Sequence, residues 1–357
     1  MKFFLSVSLF LAITYTLFTL PGCNGEIEGP PPPGPAWVTF TASSSPLPSN
    51  TVNQVYVDRE LRVWFATNEG AAYFKDNSWG IIRDSLKYFI YDNGGTQIPA
   101  YNVTSITQGK DRSIWFGLRG GGVVRYNPFS QNGNIWTRYL NSEFISSLSA
   151  DISDATANGE MWIVTGGGLN RFVLNSTDGG VWHYYQTPQI PSNQNTVAVR
   201  SPFDNSIWIG SASNGMLFIS YDPFFAISNI PLPAGYIGKI TGIAFDGNQN
   251  VWISKDIGIS AVNLESGIWT HYTNANTNGK LPPGNVYAVA SDLGSNRWFG
   301  TDSGLVHLVD TTWSRFTTAN SPLPNNTVMS LSYDQRGNLW IGTRGGAAAY
   351  RPEGTRF

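Results

Sequence analysis

The chain has 357 residues, 41% of them hydrophobic and only 13% charged, with 38 Gly and 21 Pro. That length supports a large core, and scarce charge with many turn formers favours an all-β fold over a helical one. With 22 basic side chains against 24 acidic ones, the formal charge of −2 gives a polyanion such as nucleic acid nothing to grip.

Met1 and Lys2 form a short positive start, and residues 3–19 are an apolar run. A stretch this short, ending at small residues, reads as a secretory signal and not as a spanning helix. The sequence Leu20-Pro21-Gly22-Cys23 resembles a bacterial lipobox, in which Cys23 would be lipidated and become the first mature residue. The competing reading is an ordinary signal peptide with an incidental cysteine. Cys23 is the only cysteine, so neither an internal disulfide nor a cysteine-based metal site can form. Residues 1–22 are therefore expected to be a lipoprotein signal peptide, and 23–35 a lipid-anchored Pro/Gly tether stiffened by four consecutive prolines. Asn24 in place of Asp points to an outer-membrane address, facing the periplasm or the cell surface. Glu26 and Glu28 weakly resemble acidic surface-export signals.

Residues 36–357 are dominated by a repeat. The segment VWFATNEG (63–70) returns as IWFGLRGG (114–121), MWIVTGGG (161–168), IWIGSASNG (207–215), VWISKDIG (251–258), RWFGTDSG (297–304) and LWIGTRGG (339–346). Trp64, Trp115, Trp162, Trp208, Trp252, Trp298 and Trp340 are spaced by 42 to 51 residues, a period that means one supersecondary unit per copy. Each unit reads as four short strands, in blade 1 VNQVYVD, VWFAT, AAYFK and a strand opening at Trp79. Gly70, Gly121, Gly168, Gly258, Gly304 and Gly346, with Gly215 one place later, are expected to supply positive φ in the turn between strands two and three. Trp79, Trp136, Trp182, Trp269 and Trp313 mark the outer strands, with Phe224 and Phe225 in their place in the fourth copy. Every tryptophan is expected to be a packing unit. The fold class is thus all-β: a seven-bladed β-propeller.

The segment AWVTFTASSSPLPSNTV (36–52) matches TWSRFTTANSPLPNNTV (312–328), an outer strand plus connector with no blade before it. The last copy lacks an outer strand. The expectation is an N-terminal strand closing the last blade, which removes an exposed edge. Two copies carry extra length, at 80–101 and at 150–160.

The pattern NTV…D…GN-LWIGT-x-x-G, complete from Asn326 to Gly346, resembles the two-component-regulator propeller repeat, and Asp58, Asp246, Asp292 and Asp334 each stand six before their tryptophan. The resemblance implies kinship with periplasmic sensor regions of hybrid histidine kinases, many of which respond to glycan breakdown products. No span, second propeller or kinase follows Phe357 here, so the expectation is a binding or scaffold module displayed alone, monomeric and joined to the membrane through its lipid anchor only. Its expected partner is an extracellular glycan or a protein ligand, with no cofactor, no metal and no nucleic acid.

His183 and His271 fall on outer strands and His307 on a third strand, on separate blades, which opposes a converging metal site. The alternatives are a lyase-type propeller enzyme, which virginiamycin B lyase exemplifies with a channel histidine and a divalent metal, and a structural scaffold of an outer-membrane complex. No catalytic residue is assigned. Turns between strands two and three share a face with the connectors, around the mouth of the central channel. Their charges, Glu69, Arg119, Asp256, Asp302 and Arg344, joined by Tyr88 and Tyr91 from the 80–101 insertion, are the candidate ligand-binding residues. The ring closure makes one prediction: deleting residues 36–41 should lower the melting temperature sharply, and a chain beginning at Asn50 that melts unchanged would refute it.

Overall fold

Seven four-stranded antiparallel sheets follow one another along the chain, each a simple meander. They are seen in a computed structural model that describes residues 34–82, 90–93, 96–99, 102–130, 133, 135–140, 143–151, 159–175, 179–213, 215–221, 225–292 and 294–357. The expected signal peptide, Cys23 and most of the tether lie outside the described residues. The first strands are Val52–Val57, Val103–Gln108, Ile145–Asp151, Asn195–Arg200, Ile240–Phe245, Val286–Ser291 and Val328–Tyr333. They touch their neighbours in sequence around the whole ring, and the last touches the first. The protein is a seven-bladed β-propeller. In the seventh sheet Trp37–Phe40 lies antiparallel to Gly346–Tyr350, with Trp37 opposite Tyr350 and Phe40 opposite Ala347.

The repeating tryptophans explain why the blades stack. All seven strand-two indoles are at most 5% exposed, and each joins an apolar cluster shared with the next blade. The outer-strand tryptophans are only half-buried, as their edge position requires. Connectors contribute one plug each where Leu47, Ile190, Leu232, Leu281 and Leu323 are buried. The matching segments noted at both ends of the chain fold alike: Asn50 Oδ1 takes the Ala42 amide at 2.8 Å, and Asn326 Oδ1 takes the Thr318 amide at 2.9 Å.

A buried indole N–H needs an acceptor, and six of the seven find one at their own blade's first hairpin. In blades 1, 5 and 7 the carboxylate six residues earlier receives it directly, at 2.8 Å from Asp58, Asp246 and Asp334. Blades 2 and 4 insert a serine, so that Trp115 and Trp208 donate to Ser113 and Ser206, which bond Asp111 and Asp204. Trp162 donates to Glu160, and Trp298 to the Tyr333 hydroxyl of the following blade, both at 2.7 Å. Asp292 therefore departs from its three counterparts, although it stands at the same spacing.

The turn glycines mostly meet the expectation. Gly70, Gly168, Gly215, Gly258, Gly304 and Gly346 have positive φ, but in blade 2 the positive values fall on Gly120 and Gly122, not Gly121. The strand there restarts at Gly122, where an added Cβ would sit 2.0 Å from the Leu140 carbonyl oxygen. In the 80–101 insertion, Ile90–Asn93 and Thr96–Pro99 pair as a separate hairpin.

Asp246 tests the anchor. It is fully buried, takes the Trp252 indole and the Asn250 amide group, and pairs at 2.9 Å with Arg297 of the next blade. Burial opposes its ionisation, yet these bonds together hold its carboxyl below the usual carboxylate range. Removing one member of such a pair strands the other, at a cost of about 3–5 kcal/mol. Asp246→Ala should lower the unfolding free energy measured by urea titration by that amount, and adding Arg297→Met should recover part of it. A double variant no more stable than the single one would show that Arg297 is not the group left unpaired.

Candidate functional site

Every first strand carries a β-bulge at its second residue, where the register with strand two shifts. A bulge leaves one residue out of the ladder and re-aims its side chain. The seven residues so placed are Asn53, Thr104, Ser146, Thr196, Thr241, Tyr287 and Met329, and all seven line the central channel. Some stitch the ring: Asn53 donates to the Val103 carbonyl, Thr104 to Ile145 and Thr196 to Ile240, at 2.6–2.7 Å.

At the end of the channel where strands two and three turn, the ring opens into a hollow of about 590 Å³. Phe144, Gln194, Asn195, Lys239 and the turn residues Thr165 and Gly166 form its rim above the bulge residues. Among the described residues, Lys239 is the only charged side chain lining this hollow, and none lines the channel below it. Threonine and serine hydroxyls, amides and two aromatic rings therefore define its chemistry.

Asn195 is the unusual member. It opens its strand at the position held by Val52, Val103, Ile145, Ile240, Val286 and Val328 in the other blades. Its amide nitrogen donates to the Ser192 carbonyl at 3.1 Å, but its Oδ1 is buried with no hydrogen-bond partner among the described residues. Leaving such an acceptor unsatisfied costs about 1–3 kcal/mol.

The charged turn residues expected to bind ligand do sit on this face, each on a different blade, but none lines the hollow. Asp256 Oδ1 accepts the Lys239 amide at 3.0 Å, and Asp302 Oδ2 accepts the Asn285 amide at 3.1 Å. Both carboxylates thus latch the connector entering their own blade. Arg119 lies over the Phe144 ring at 5.5 Å and so reaches the rim indirectly. Glu69 and Arg344 are exposed. Tyr88 and the side chain of Tyr91 lie outside the described residues. The bulge residues and Asn195 were missed because their landmark is the first position of strand one, aligned backwards from each tryptophan. Tabulating that position would have exposed the lone Asn among six branched apolar residues.

The histidines lie away from the channel, on the outer strands Gly180–Tyr185 and Trp269–Tyr272 and the third strand Gly304–Val309. Near the rim, buried Lys255 donates its Nζ to the Tyr236 carbonyl at 2.8 Å. Burial draws its pKa down to about 8, against the pull of Asp256. His271 stacks on Tyr236 and bonds Ser260 Oγ at 2.8 Å. Burial, then Lys255, lowers its pKa to about 4, and burial brings His307 to about 4 as well.

Residues 322–345 match the family model described as the two component regulator propeller. The protein is a seven-bladed propeller that carries this repeat. Its fold is similar to the extracellular domain described as that of the hybrid two component system BT3049 from B. thetaiotaomicron, with a TM-score of 0.67 and 18% identity over 89% of this chain and 41% of that one. It is also similar to PorZ, a bacterial surface component of the type-IX secretion system of Porphyromonas gingivalis (TM-score 0.62, 17% identity, 85% of this chain and 47% of that one). Virginiamycin B lyase from Staphylococcus aureus matches with a TM-score of 0.63 and 15% identity, covering 88% of this chain and 98% of that one. No curated protein sequence matches the chain.

The two histidines predict a pH effect. Each has a folded pKa of about 4 against an ordinary 6.5, so between these values the unfolded chain binds more protons. Stability should therefore rise as pH rises from about 4 to 6.5, by at most about 1.4 kcal/mol per pH unit for each histidine. His271→Gln and His307→Gln should each flatten the slope of urea stability against pH, and an unaltered slope in both would contradict the assignment.

Proposed function

We propose that the protein is a lipid-anchored, extracytoplasmic and non-catalytic binding module that takes an uncharged, hydroxyl-rich ligand of the carbohydrate class at the channel mouth. The observation that carries this reading is the hydroxyl-lined hollow of about 590 Å³, whose lining includes Asn195. The bulge hydroxyls would bond the hydroxyls of a sugar, and Phe144, 42% exposed at the rim, would stack on a ring face. An ionic ligand finds only Lys239. A lyase reaction needs a general base, and among the described residues lining the channel there is no carboxylate and no imidazole, which leaves the Lys239 amine and the Tyr287 hydroxyl as the groups such chemistry would have to use.

The extracytoplasmic placement draws on LPGC at 20–23 and on the fold's likeness to an extracellular sensor domain and to a secretion-system surface component. The sensor and surface-component structures are more than twice as long as the stretch this chain matches.

Titration against a panel of neutral oligosaccharides tests the proposal. Asn195→Val should keep or raise stability, since its siblings are apolar, while weakening sugar binding about tenfold, the equivalent of about 1.4 kcal/mol. Phe144→Ala should weaken it similarly without unfolding. If no oligosaccharide binds, while pull-down returns one membrane complex at fixed stoichiometry, the scaffold reading replaces this one.

A further inference from the structure

On the opposite face, where first and second strands join, blades 6 and 7 frame a hollow of about 650 Å³. Its wall departs from a pattern that four other blades keep. In four blades the anchoring acid is paired with an arginine: Asp58 with Arg62, Asp111 with Arg125, Glu160 with Arg171 and Asp246 with Arg297. Each guanidinium also lies over the blade's indole, 5.1 to 5.7 Å from its centroid. Blade 6 has the acid, Asp292, and the indole, Trp298, but among the described residues no guanidinium pairs with that acid.

The sequence explains the gap. Arg297, just before Trp298, reaches back to cover the indole of blade 5. The same position in blade 7 is Leu339, which is too short and apolar to do this for blade 6 and instead lines the hollow. The next gap round the ring, between blades 7 and 1, is closed by Phe357 against Trp340, leaving only about 10 Å³.

We propose that the hollow between blades 6 and 7 binds a small ligand carrying a guanidinium group, placed where four sibling blades hold an arginine side chain. Its charged lining consists of Asp292, Asp334 and Glu353 against Arg351. Asp334 is occupied by the Trp340 indole, Asn338 and hairpin amides, and Arg351 by Glu353 and the Arg336 carbonyl. Among the described residues Asp292 takes only hairpin donors, the amides of Gly294 and Asn296 and the Asn296 side chain, because Trp298 has turned to Tyr333. The acceptor position that indoles fill in three other blades is thus open toward the hollow.

His307 stacks on Trp298 at 3.7 Å and bonds Asn296 Oδ1 at 2.9 Å. With its pKa lowered to about 4 by burial, against the pull of Asp292, it is neutral at neutral pH and does not repel a cation. Ser291 Oγ, buried and without a partner among the described residues, is a second acceptor in the wall. Tyr333, Tyr350 and Leu339 offer apolar surface to the rest of the ligand. A cleft of this volume is within the range of small-molecule sites.

The test is calorimetric titration of the whole chain with butylguanidinium, with its neutral isostere butylurea, and with pentanoate. Butylguanidinium should bind at least about tenfold more tightly than butylurea, and pentanoate should not bind. Asp292→Asn keeps an oxygen for the hairpin amides while removing the charge, and should abolish the preference for butylguanidinium over butylurea. Glu353→Gln, at a side chain 69% exposed, should weaken binding without touching the fold. Leu339→Arg, which reproduces in blade 7 the Arg297 of blade 6, should exclude the ligand. Equal binding of butylguanidinium and butylurea, absence of butylguanidinium binding, or a preference that survives Asp292→Asn would each overturn the proposal. Asn195→Val should leave this binding unchanged, so failure here and failure at the channel mouth are read separately.

Discussion

The propeller depends on satisfying seven buried indole N–H groups. Each tryptophan supplies the largest apolar surface between two blades, and its one polar atom would forfeit much of that gain if left unpaired. In blade 6 the acceptor comes from Tyr333 of the next blade, and in the other six it comes from the first hairpin, the chain nearest the indole nitrogen. A carboxylate in that hairpin does two jobs, binding the turn's own amides on one oxygen and the indole on the other, as Asp334 does with Arg336 and Asn338 on Oδ1 and Trp340 on Oδ2. The hairpin is thereby fixed to the core it covers, and the arginines paired with the acids of blades 1, 2, 3 and 5 neutralise the charge this brings close to the interior. Across the blade 5–6 boundary the same pair acts as a tie between sheets, since Arg297 belongs to one and Asp246 to the other.

How much of this the sequence discloses depends on distance from a landmark. Tryptophan spacing alone implies seven blades, and the match of 36–52 to 312–328 points to the pairing seen between Trp37–Phe40 and Gly346–Tyr350. Asp292 shows the limit of spacing. It stands six before its tryptophan like its counterparts, yet Tyr333 from another blade takes the indole, a contact that no local pattern encodes. Gly121 shows the same on a smaller scale, since a one-residue difference in where the strand restarts moves the positive φ to its neighbours.

The channel was less legible for a different reason. Charged turn residues stand out in a sequence with little charge, and that made Asp256 and Asp302 conspicuous. Folding gives both carboxylates to connector amides, a use that any turn acid beside an unpaired N–H can find. The residues that line the channel are Thr, Ser and Asn in strand one, ordinary in composition, and only the bulge turns them toward the axis. Asn195 is conspicuous only when set beside its six branched apolar equivalents.

Repetition makes the molecule its own control. Seven copies share one packing problem, so a residue that departs from its siblings without improving the packing has another constraint acting on it. The boundary of blades 6 and 7 lacks a counterpart of the Arg297 that covers the blade 5 indole and keeps a hollow that Phe357 closes elsewhere, and Asn195 in place of valine or isoleucine buries an acceptor that nothing described satisfies. Both departures cost stability by ordinary accounting of cavities and unpaired polar groups. They lie on opposite faces and differ in chemistry, one uncharged and rich in hydroxyls, the other acidic and walled by aromatic rings. A scaffold selected for stability alone would fill the hollow and satisfy the acceptor. That it does neither is the physical reason to look for ligands there.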